Sequence, residues 1–435
     1  MHYDARMSDE SASTVPVHCL RAGMAGVGMI FDETYRPFFE RARRGWYVQN
    51  CGVLRVELSG LASRTGRRAA AYIEAHGESE TAPQNLAGPE GIRQLLSGDV
   101  DFVCVATPDQ RHFEIAREVL AAGKHLLIEK PSVLLLAELD ELQALAARHR
   151  VLAKVVYHKL LDPDHKKLRT LVAEGQLVHV NSGYCSLLEP KIISANQFSE
   201  WIAGRNPGTY VAVHYIKLID FTFGGRLRRI ACTGQRGIVA AADGDTWDST
   251  ELRLEYGYDD GREAAFDIHT SWVTPDNFPG YVEQEVQFRF DNGVWNGHSR
   301  KRGVECTIED RTPHEVKITP NNHYNADVLE PWGERGQRGY GIEVLERFAH
   351  EVGTVEFGGP AAEREQRLAR ARELEYNDLS ADRQTVAAVQ AMEAILARHA
   401  ASQPGCMVEV NHAAGGLVLW RPGHGEPEVL YDQTV

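Results

Sequence analysis

Short apolar runs alternate with helical stretches over the first 160 residues, and this alternation constrains the fold more than any other feature of the chain. Val17 to Ala22, Leu54 to Ala62, Val100 to Ala106, His125 to Ile128 and Val151 to Tyr157 read as strands. Between them, Phe113 to Ala122 and Leu135 to Arg148 carry apolar residues at three- and four-residue spacing, the period of a helix with one buried face. Parallel strands cannot be joined by tight turns and need a crossover, which these helices supply. The spacing therefore predicts a doubly wound parallel sheet. Pro37 falls inside the first helical stretch, so a helix starting near Val27 is expected to break or kink there.

Beyond about Pro163 the texture changes. Val178 to Leu188, Arg228 to Val239, Glu251 to Tyr258, Glu263 to Trp272 and Tyr281 to Phe290 read as successive strands. Tyr258-Asp259-Asp260-Gly261 and Asp291-Asn292-Gly293 are hairpin signals, so the strands they join are expected to be antiparallel. Helical patterns return at Val211 to Phe223, Gly341 to Glu351 and Arg383 to Arg398, and Cys406 to Tyr431 adds short strand-like pieces. No fixed-period repeat and no low-complexity tract interrupts this order. The expected organisation is an α/β domain over 15–160 and an α+β domain over 161–435, the second built on a large, mostly antiparallel sheet.

Composition removes several function classes. The 435 residues carry a formal net charge of −14, opposite to what phosphate backbones require, so no nucleic-acid partner is expected. Apolar runs are too short to span a bilayer, and no membrane association is expected. Met1 to Thr14 is polar and acidic without an apolar core, so a secretory leader is not expected. The seven cysteines are scattered and form no CxxC pair, which suggests neither a disulfide framework nor a zinc site and points to a reducing cytoplasm.

Directly after the first strand, Gly23-Met24-Ala25-Gly26-Val27-Gly28 forms a GxAxxG turn. At a first strand–helix junction this pattern suits a dinucleotide, whose phosphates lie on backbone N–H groups at a helix start. Gly23, Ala25, Gly26, Val27 and Gly28 are the cofactor-binding residues it supplies. Gly23 is expected to make the tight turn and Gly28 to allow close helix–strand packing, with Ala25 where the second glycine usually stands. The second strand ends Ser63-Arg64-Thr65-Gly66-Arg67-Arg68, with no carboxylate to hold a ribose 2′-OH. Hydroxyls and guanidinium groups suit a 2′-phosphate instead, so Ser63, Arg64 and Arg68 favour NADP over NAD. A solvated arginine face on the next helix is the plainer reading of Arg67 and Arg68.

Ala106-Thr107-Pro108 ends one strand, and Ala122-Gly123-Lys124-His125 leads into Glu129-Lys130-Pro131. Together with the glycine-rich turn, these segments resemble the Gfo/Idh/MocA family (glucose–fructose oxidoreductase, inositol dehydrogenase, rhizopine catabolism). The resemblance covers the N-terminal domain, continues through Tyr157 to Pro163 and returns around Ala381 to Ile395. It implies a Rossmann domain followed by an open-faced sheet domain, and an NAD(P)-dependent oxidoreductase acting on a sugar, polyol or related hydroxyl compound. On this resemblance Lys130 lies near the nicotinamide and the reactive hydroxyl, Glu129 orients the loop, and Ala106, Thr107 and Pro108 line the nicotinamide side. His214 matches the family histidine and is the candidate general base. Tyr210 stands one helical turn earlier, where an aspartate is usual, and Lys217 stands where an acidic residue is often found. Lys159, Arg205 and Asn206 are candidate substrate contacts. Trp201, Trp272 and Trp332 could stack on a sugar face, but a Trp in a sheet-rich domain is more often core. His165, His269, His298 and His323 show no metal-ligand spacing, and no metal is expected. A homo-oligomer, dimer or tetramer, follows from the resemblance alone. Two other outcomes stay open on the sequence: a cofactor-retaining NAD-dependent glycosidase of the same fold, and a non-catalytic dinucleotide or sugar sensor.

Overall fold

The computed structural model describes residues 15–76, 82–192, 194, 202–239, 246–276, 282–298, 321–412 and 415–433. Strands β1 (Val17–Ala25), β2 (Trp46–Val48), β3 (Gly52–Ser63), β4 (Gln84–Ala87), β5 (Phe102–Val105), β6 (His125–Glu129) and β7 (Ala153–Val156) build the first sheet. Its order is β2-β3-β1-β5-β6-β7, with β4 pairing β3 farther along, and every pairing is parallel except β2 with β3. β5 and β6 are buried at every position, as interior strands covered by helices on both faces must be. The carboxyl ends of β1, β3, β5 and β6 meet along one edge, where open α/β sheets bind ligands.

β1 runs to Ala25, past its expected end at Ala22. Two short strands were not legible: β2 is only three residues, and β4 has a polar sequence. Pro37 does not break the first helix. Phe31–Tyr35 widens into a π-type turn, and the N–H of Arg36 reaches back to the carbonyl of Phe31. The α-helix Arg36–Ala42 then carries Pro37 in its first turn, where a missing N–H costs little. The Glu33 carbonyl, which an N–H at 37 would have bonded, accepts from the Asn325 side-chain amide.

The second sheet contains β8 (Val180–Pro190), β9 (Arg226–Gln235), β10 (Ser249–Gly257), β11 (Glu263–Thr274), β12 (Glu283–Phe290), β13 (Gly293–His298), β16 (Met407–Asn411), β17 (Gly416–Trp420) and β18 (Glu428–Tyr431). A separate hairpin, β14 (Ala326–Leu329) with β15 (Arg335–Arg338), precedes the last three of these strands in the chain. The order is β13-β12-β8-β11-β10-β9-β16-β17-β18, antiparallel throughout except that β8 and β11 run parallel. Both hairpin signals are realised, joining β10 to β11 and β12 to β13. Along β10 and β11 buried and open positions alternate, the period of a sheet covered on one face. The helices Val213–Phe223 and Arg383–Ala400 supply that cover, and their apolar residues join the sheet's in one cluster that continues into the first sheet. Charged pairs such as Arg253–Asp267 and Arg229–Glu409 occupy the other face.

The far face of the first sheet is closed by a helix from late in the chain, Tyr340–Phe357, with Arg364–Glu373 beside it. This docking rests on a buried charge. Lys154 on β7 is fully buried, donates to the Ala371 carbonyl at 2.8 Å, and lies 3.4 Å from Asp378 and 3.6 Å from Glu351. Asn377 pairs with the backbone of Val155 in both directions, at 2.7 and 2.9 Å, and so covers the open edge of β7. At the start of the neighbouring strand β6, His125 contacts Glu356 at 2.9 Å, and Arg364 completes the pair at 2.6 Å. Leu152 donates its N–H to His125 Nδ1, so Nε2 carries the proton and donates to Glu356. These donors hold the Glu356 carboxyl down at about 2 against the opposing effect of burial.

Replacing Lys154 by Met leaves two buried carboxylates facing each other and is expected to cost about 3–5 kcal/mol, read from the urea unfolding transition. The stabilisation from Glu356 has a defined pH window, because its folded pKa lies below its unfolded one. The difference in urea midpoint between wild type and Glu356→Gln should be full above pH 5 and vanish as pH falls towards 2. A difference that persists at pH 2 would refute this.

Candidate active site

Four strand ends build the site. After β1, Gly26 has φ +95°, and a Cβ there would sit 2.2 Å from the Ala106 carbonyl oxygen. Its N–H bonds the Ala62 carbonyl at 2.9 Å, and Ala106 N–H bonds Ala25 at 2.8 Å. Gly26 therefore makes the tight turn, not Gly23. Gly23 lies within β1, beside Gly60 of β3, and both make room for Leu95 of the helix Gly91–Ser97: a Cβ at either would approach that side chain to 2.7 Å. Gly28 is not a packing glycine, since a Cβ on it would meet nothing within 4 Å. The roles expected of Gly23 and Gly28 are corrected accordingly: spacing marks the motif, but backbone angle and neighbours assign each glycine its task. Ala25 ends the strand and Val27 is buried at the start of the following helix.

After β3, Ser63 Oγ accepts the Gly66 N–H at 3.1 Å and so shapes the turn. Arg64 and Arg68 are exposed, and Arg68 lies 4.0 Å from Asp32. After β5 comes Ala106-Thr107-Pro108. His112 bridges this turn to the loop after β6, its Nε2 lying 2.8 Å from the Thr107 carbonyl and its Nδ1 2.7 Å from that of Pro131. Thr107 Oγ1 is buried with no partner. An orphaned hydroxyl beside a glycine turn with open space above Gly28 fits a dinucleotide laid across these strand ends.

After β6, Glu129 accepts from the Tyr35 hydroxyl at 3.0 Å and from the Lys130 N–H at 3.3 Å, and Lys130–Pro131 is a cis peptide. Ser132 and Tyr157 both donate to Asp382, the fully buried residue before the last long helix. The lysine loop is thereby fastened to the second half of the chain. Lys130 Nζ donates to the Tyr210 carbonyl at 2.8 Å and lies 4.0 Å from the centre of the Tyr210 ring. Tyr210 belongs to a widened π-type turn, Gly208–Ala212, that runs into the helix Val213–Phe223. Such turns recur at functional sites because they displace carbonyls from the regular ladder.

His214 follows on that helix. It is buried, and its Nδ1 has no partner. The ring of His158, just after β7, lies 4.5 Å from it. Burial pushes both imidazoles well below their ordinary value, and Lys130 and Lys159 add to the effect. These surroundings favour the neutral form of His214, whose Nδ1 carries no hydrogen bond. Burial likewise lowers the Lys130 ammonium, while Glu129, Glu189 and Asp109 oppose that shift.

The remaining candidates separate clearly. Lys159 is buried, bonded to Gln284, and 5.7 Å from the Tyr215 ring. Arg205 pairs with Asp109, and Glu393 lies 3.6 Å away. Asn206 bonds Thr209 and Glu393, at 3.1 and 2.9 Å through its amide nitrogen, and its carbonyl accepts the Thr209 N–H at 2.7 Å. Arg205 and Asn206 thus brace the widened turn and tie it to the loop after Pro108. Lys217 turns away from His214 to the Ala381 carbonyl and Asp220. Trp272 is fully buried and Trp332 is exposed on the β14–β15 hairpin, while Trp201 lies outside the described residues. Among the described residues no group of three or more His, Cys, Asp or Glu could hold a metal ion, and no helix is long and apolar enough to cross a membrane.

Sequence reasoning missed His112, His158, Asp382 and Glu189. Glu189 was legible as an acidic residue continuing the inward alternation of Cys185 and Leu187. His158 and Asp382 lie in segments the resemblance already marked, Tyr157 to Pro163 and Ala381 to Ile395, but their partners His214, Ser132 and Tyr157 are set by the fold, as are those of His112.

Comparison with known proteins agrees with this geometry. Residues 20–157 match the family model for GFO_IDH_MocA, described as an oxidoreductase family with an NAD-binding Rossmann fold. The uncharacterized oxidoreductase YrbE of Bacillus subtilis (strain 168) is 32% identical over 267 residues, which span 60% of this chain and 71% of that protein. The chain belongs to the Gfo/Idh/MocA oxidoreductase family. The uncharacterized oxidoreductase YdgJ of Escherichia coli (strain K12) is 35% identical over 82 residues, 19% of this chain and only 24% of YdgJ. Two solved structures share the whole fold at low identity. GenD2 from gentamicin A biosynthesis, in complex with NAD, superposes with a TM-score of 0.61 at 20% identity, over 91% of this chain and 97% of GenD2. An inositol dehydrogenase homolog from Azotobacter vinelandii, complexed with NADH and myo-inositol, gives 0.61 at 17% identity, over 90% and 98%. In this chain Lys130 lies against Tyr210, one helical turn before His214.

The two glycines give a direct check. Gly26→Ala should lower the thermal midpoint by several degrees, because positive φ and the Ala106 carbonyl both oppose a Cβ. Gly28→Ala should leave the midpoint of the free protein unchanged. Equal effects at the two positions would contradict the assignment.

Proposed function

We propose that the protein transfers a hydride between NADP and the hydroxyl-bearing carbon of a sugar, polyol or related substrate. The observation that carries this reading is the convergence of Lys130 Nζ on Tyr210, one turn before the unpartnered His214. The dinucleotide, bound along Ala25–Gly28 and Thr107, would supply the hydride acceptor. In the oxidising direction Lys130 donates a hydrogen bond to the substrate oxygen and stabilises the negative charge that develops on it. His214, kept neutral by its surroundings, accepts the hydroxyl proton as general base. Tyr210 fills the space between them, its ring supporting the ammonium by a cation–π contact. Reduction follows the same path backwards.

The NADP preference rests on Ser63 and Arg64, beside a strand end that carries no carboxylate. GenD2 and the Azotobacter protein were solved with NAD and NADH, so this preference would be a feature of the present chain. A homo-oligomer and a cytoplasmic location belong to the same reading.

Side-by-side calorimetric titration with NADP⁺ and NAD⁺ tests the cofactor assignment. NADP⁺ should bind more tightly, and Arg64→Ala should reduce that preference about tenfold, the worth of one charge-assisted hydrogen bond. An unchanged preference would remove Arg64 from the site. With NADP⁺ and a panel of inositols and hexoses, Lys130→Ala should lower turnover at least about a hundredfold while leaving dinucleotide affinity nearly intact. A loss below tenfold would exclude the assigned role.

A further inference from the structure

A third apolar cluster, separate from the two that hold the sheets, lies where the glycine turn faces the second half of the chain. Ile202, Val239 and Trp272 are its buried members, and Met29, Tyr210 and Val273 pack against them. Among the described residues Met29 is its only member from the first half. Met29 directly follows Gly28, in the helical segment that leaves the glycine turn, and it is half-buried.

The platform that Met29 meets is fixed from behind by buried polar groups. The Asp248 carboxylate accepts the N–H of Ile238 at 2.8 Å and that of Val239 at 2.6 Å. The Asp248 carbonyl accepts the Trp272 N–H at 2.9 Å. Thr246 donates to the Ile202 carbonyl at 3.0 Å, and Trp272 Nε1 donates to Glu189 at 2.8 Å. Asp248, Thr246 and Glu189 are all buried. Burying polar side chains is unfavourable unless each is bonded, and here all three are bonded to one small apolar patch. The patch is therefore a rigid, built surface. Its partner from the first half is a thioether chain, which adapts its shape readily.

The row of contacts follows the cofactor-binding residues. At one end is Met29, beside the turn whose N–H groups suit the phosphates. At the other is Tyr210, its ring 6.0 Å from that of Trp272 and 4.0 Å from the Lys130 ammonium. Met29, Trp272, Tyr210 and Lys130 thus span the same two points as a dinucleotide laid along Ala25–Gly28 with its nicotinamide at Lys130.

We propose that Met29 and the Trp272 platform form a clasp that closes the dinucleotide cleft and gates the entry and exit of the cofactor. The proposal rests on the reading of Ala25–Gly28 as the dinucleotide turn. The clasp is a contact between the two halves of the protein and not with the dinucleotide. It must open before passage in either direction, so it sets the rate of exchange and leaves affinity nearly untouched.

Stopped-flow mixing of the full chain with NADPH, and separately with NADH, tests this through the fluorescence of the reduced dinucleotide. Mixing gives the association rate, and a chase with excess NADP⁺ or NAD⁺ gives the dissociation rate. Met29→Ala should raise both rates about tenfold, the worth of a half-buried methionine side chain, with Kd nearly unchanged. Met29→Leu, which keeps the apolar volume, should stay close to wild type. Unchanged rates in Met29→Ala overturn the proposal, as does a Met29→Leu variant equally fast. Faster dissociation with a matching loss of affinity also overturns it, since that marks a direct contact or a damaged turn. If Met29→Ala does not fold, Val239→Ala, on the opposite side of the clasp, decides by the same criteria. No turnover is measured, so these failures leave the dehydrogenase reading standing. A wild-type protein that binds neither NADPH nor NADH would instead remove the dinucleotide reading, and the clasp with it.

Discussion

A single hydrogen bond, from the Lys130 ammonium to the Tyr210 carbonyl at 2.8 Å, joins the two halves of the molecule at the point where their chemistry meets. Lys130 ends a strand of the parallel sheet, and Tyr210 begins a helix of the other layer. The contact is made possible by supports on both sides. Glu129, Tyr35 and His112 hold the lysine loop from below, and Asp382 grips it through Ser132. Asp109, Arg205, Asn206 and Glu393 hold the widened turn. These supporting groups are paired, and all but Arg205 and Glu393 are buried, as polar side chains in a core must be. The unpaired ones, Thr107 Oγ1 and His214 Nδ1, lie where ligand is expected.

Much of this was legible in the sequence because it follows from periodicity. The alternating apolar runs located β1, β3, β5, β6 and β7, and the Asp-Gly and Asn-Gly turns located two hairpins. Lys130, Tyr210 and His214 were read from the family resemblance, and in the structure Lys130 Nζ lies on the Tyr210 carbonyl and ring, one turn before His214. What spacing could not convey was backbone conformation. Three glycines within six residues look interchangeable on paper, yet only Gly26 has positive φ and only Gly23 faces Leu95. Arg205 and Asn206 were candidate pocket residues from the resemblance alone. The partners the structure gives them, Asp109 and Glu393, are 96 and 187 residues away in the chain, a distance at which no local pattern signals a contact.

The departure at Tyr210 has a physical logic within the fold. A carboxylate on the helix would face Lys130 directly and bind its charge strongly. The aromatic ring offers a softer contact and leaves the ammonium hydrogen-bonded to a neutral carbonyl. Its donors are then available to an incoming oxygen, while the neighbouring imidazoles remain uncharged in the same field. On the proposed reading the site keeps its cationic character in the lysines and its basic character in a histidine, so the two functions would not compete for one proton.

The helix Tyr340–Phe357 carries a consequence for the order in which the chain can assemble. Leu20, Leu54, Val56 and Phe102 of the first sheet lie in one apolar cluster with Ile342, Leu345, Phe348 and Val352 of that helix, and Lys154 waits on a carbonyl at Ala371. As synthesis proceeds from the amino end, the nucleotide-type sheet is complete in its strands soon after residue 156 but lacks cover on one side until about two hundred more residues have left the ribosome. During that interval an oily surface and the ungripped Lys154 side chain are left without their cover. The first half of the chain to be made is therefore among the last to become secure, and it depends on the tail of its own sequence to shelter it.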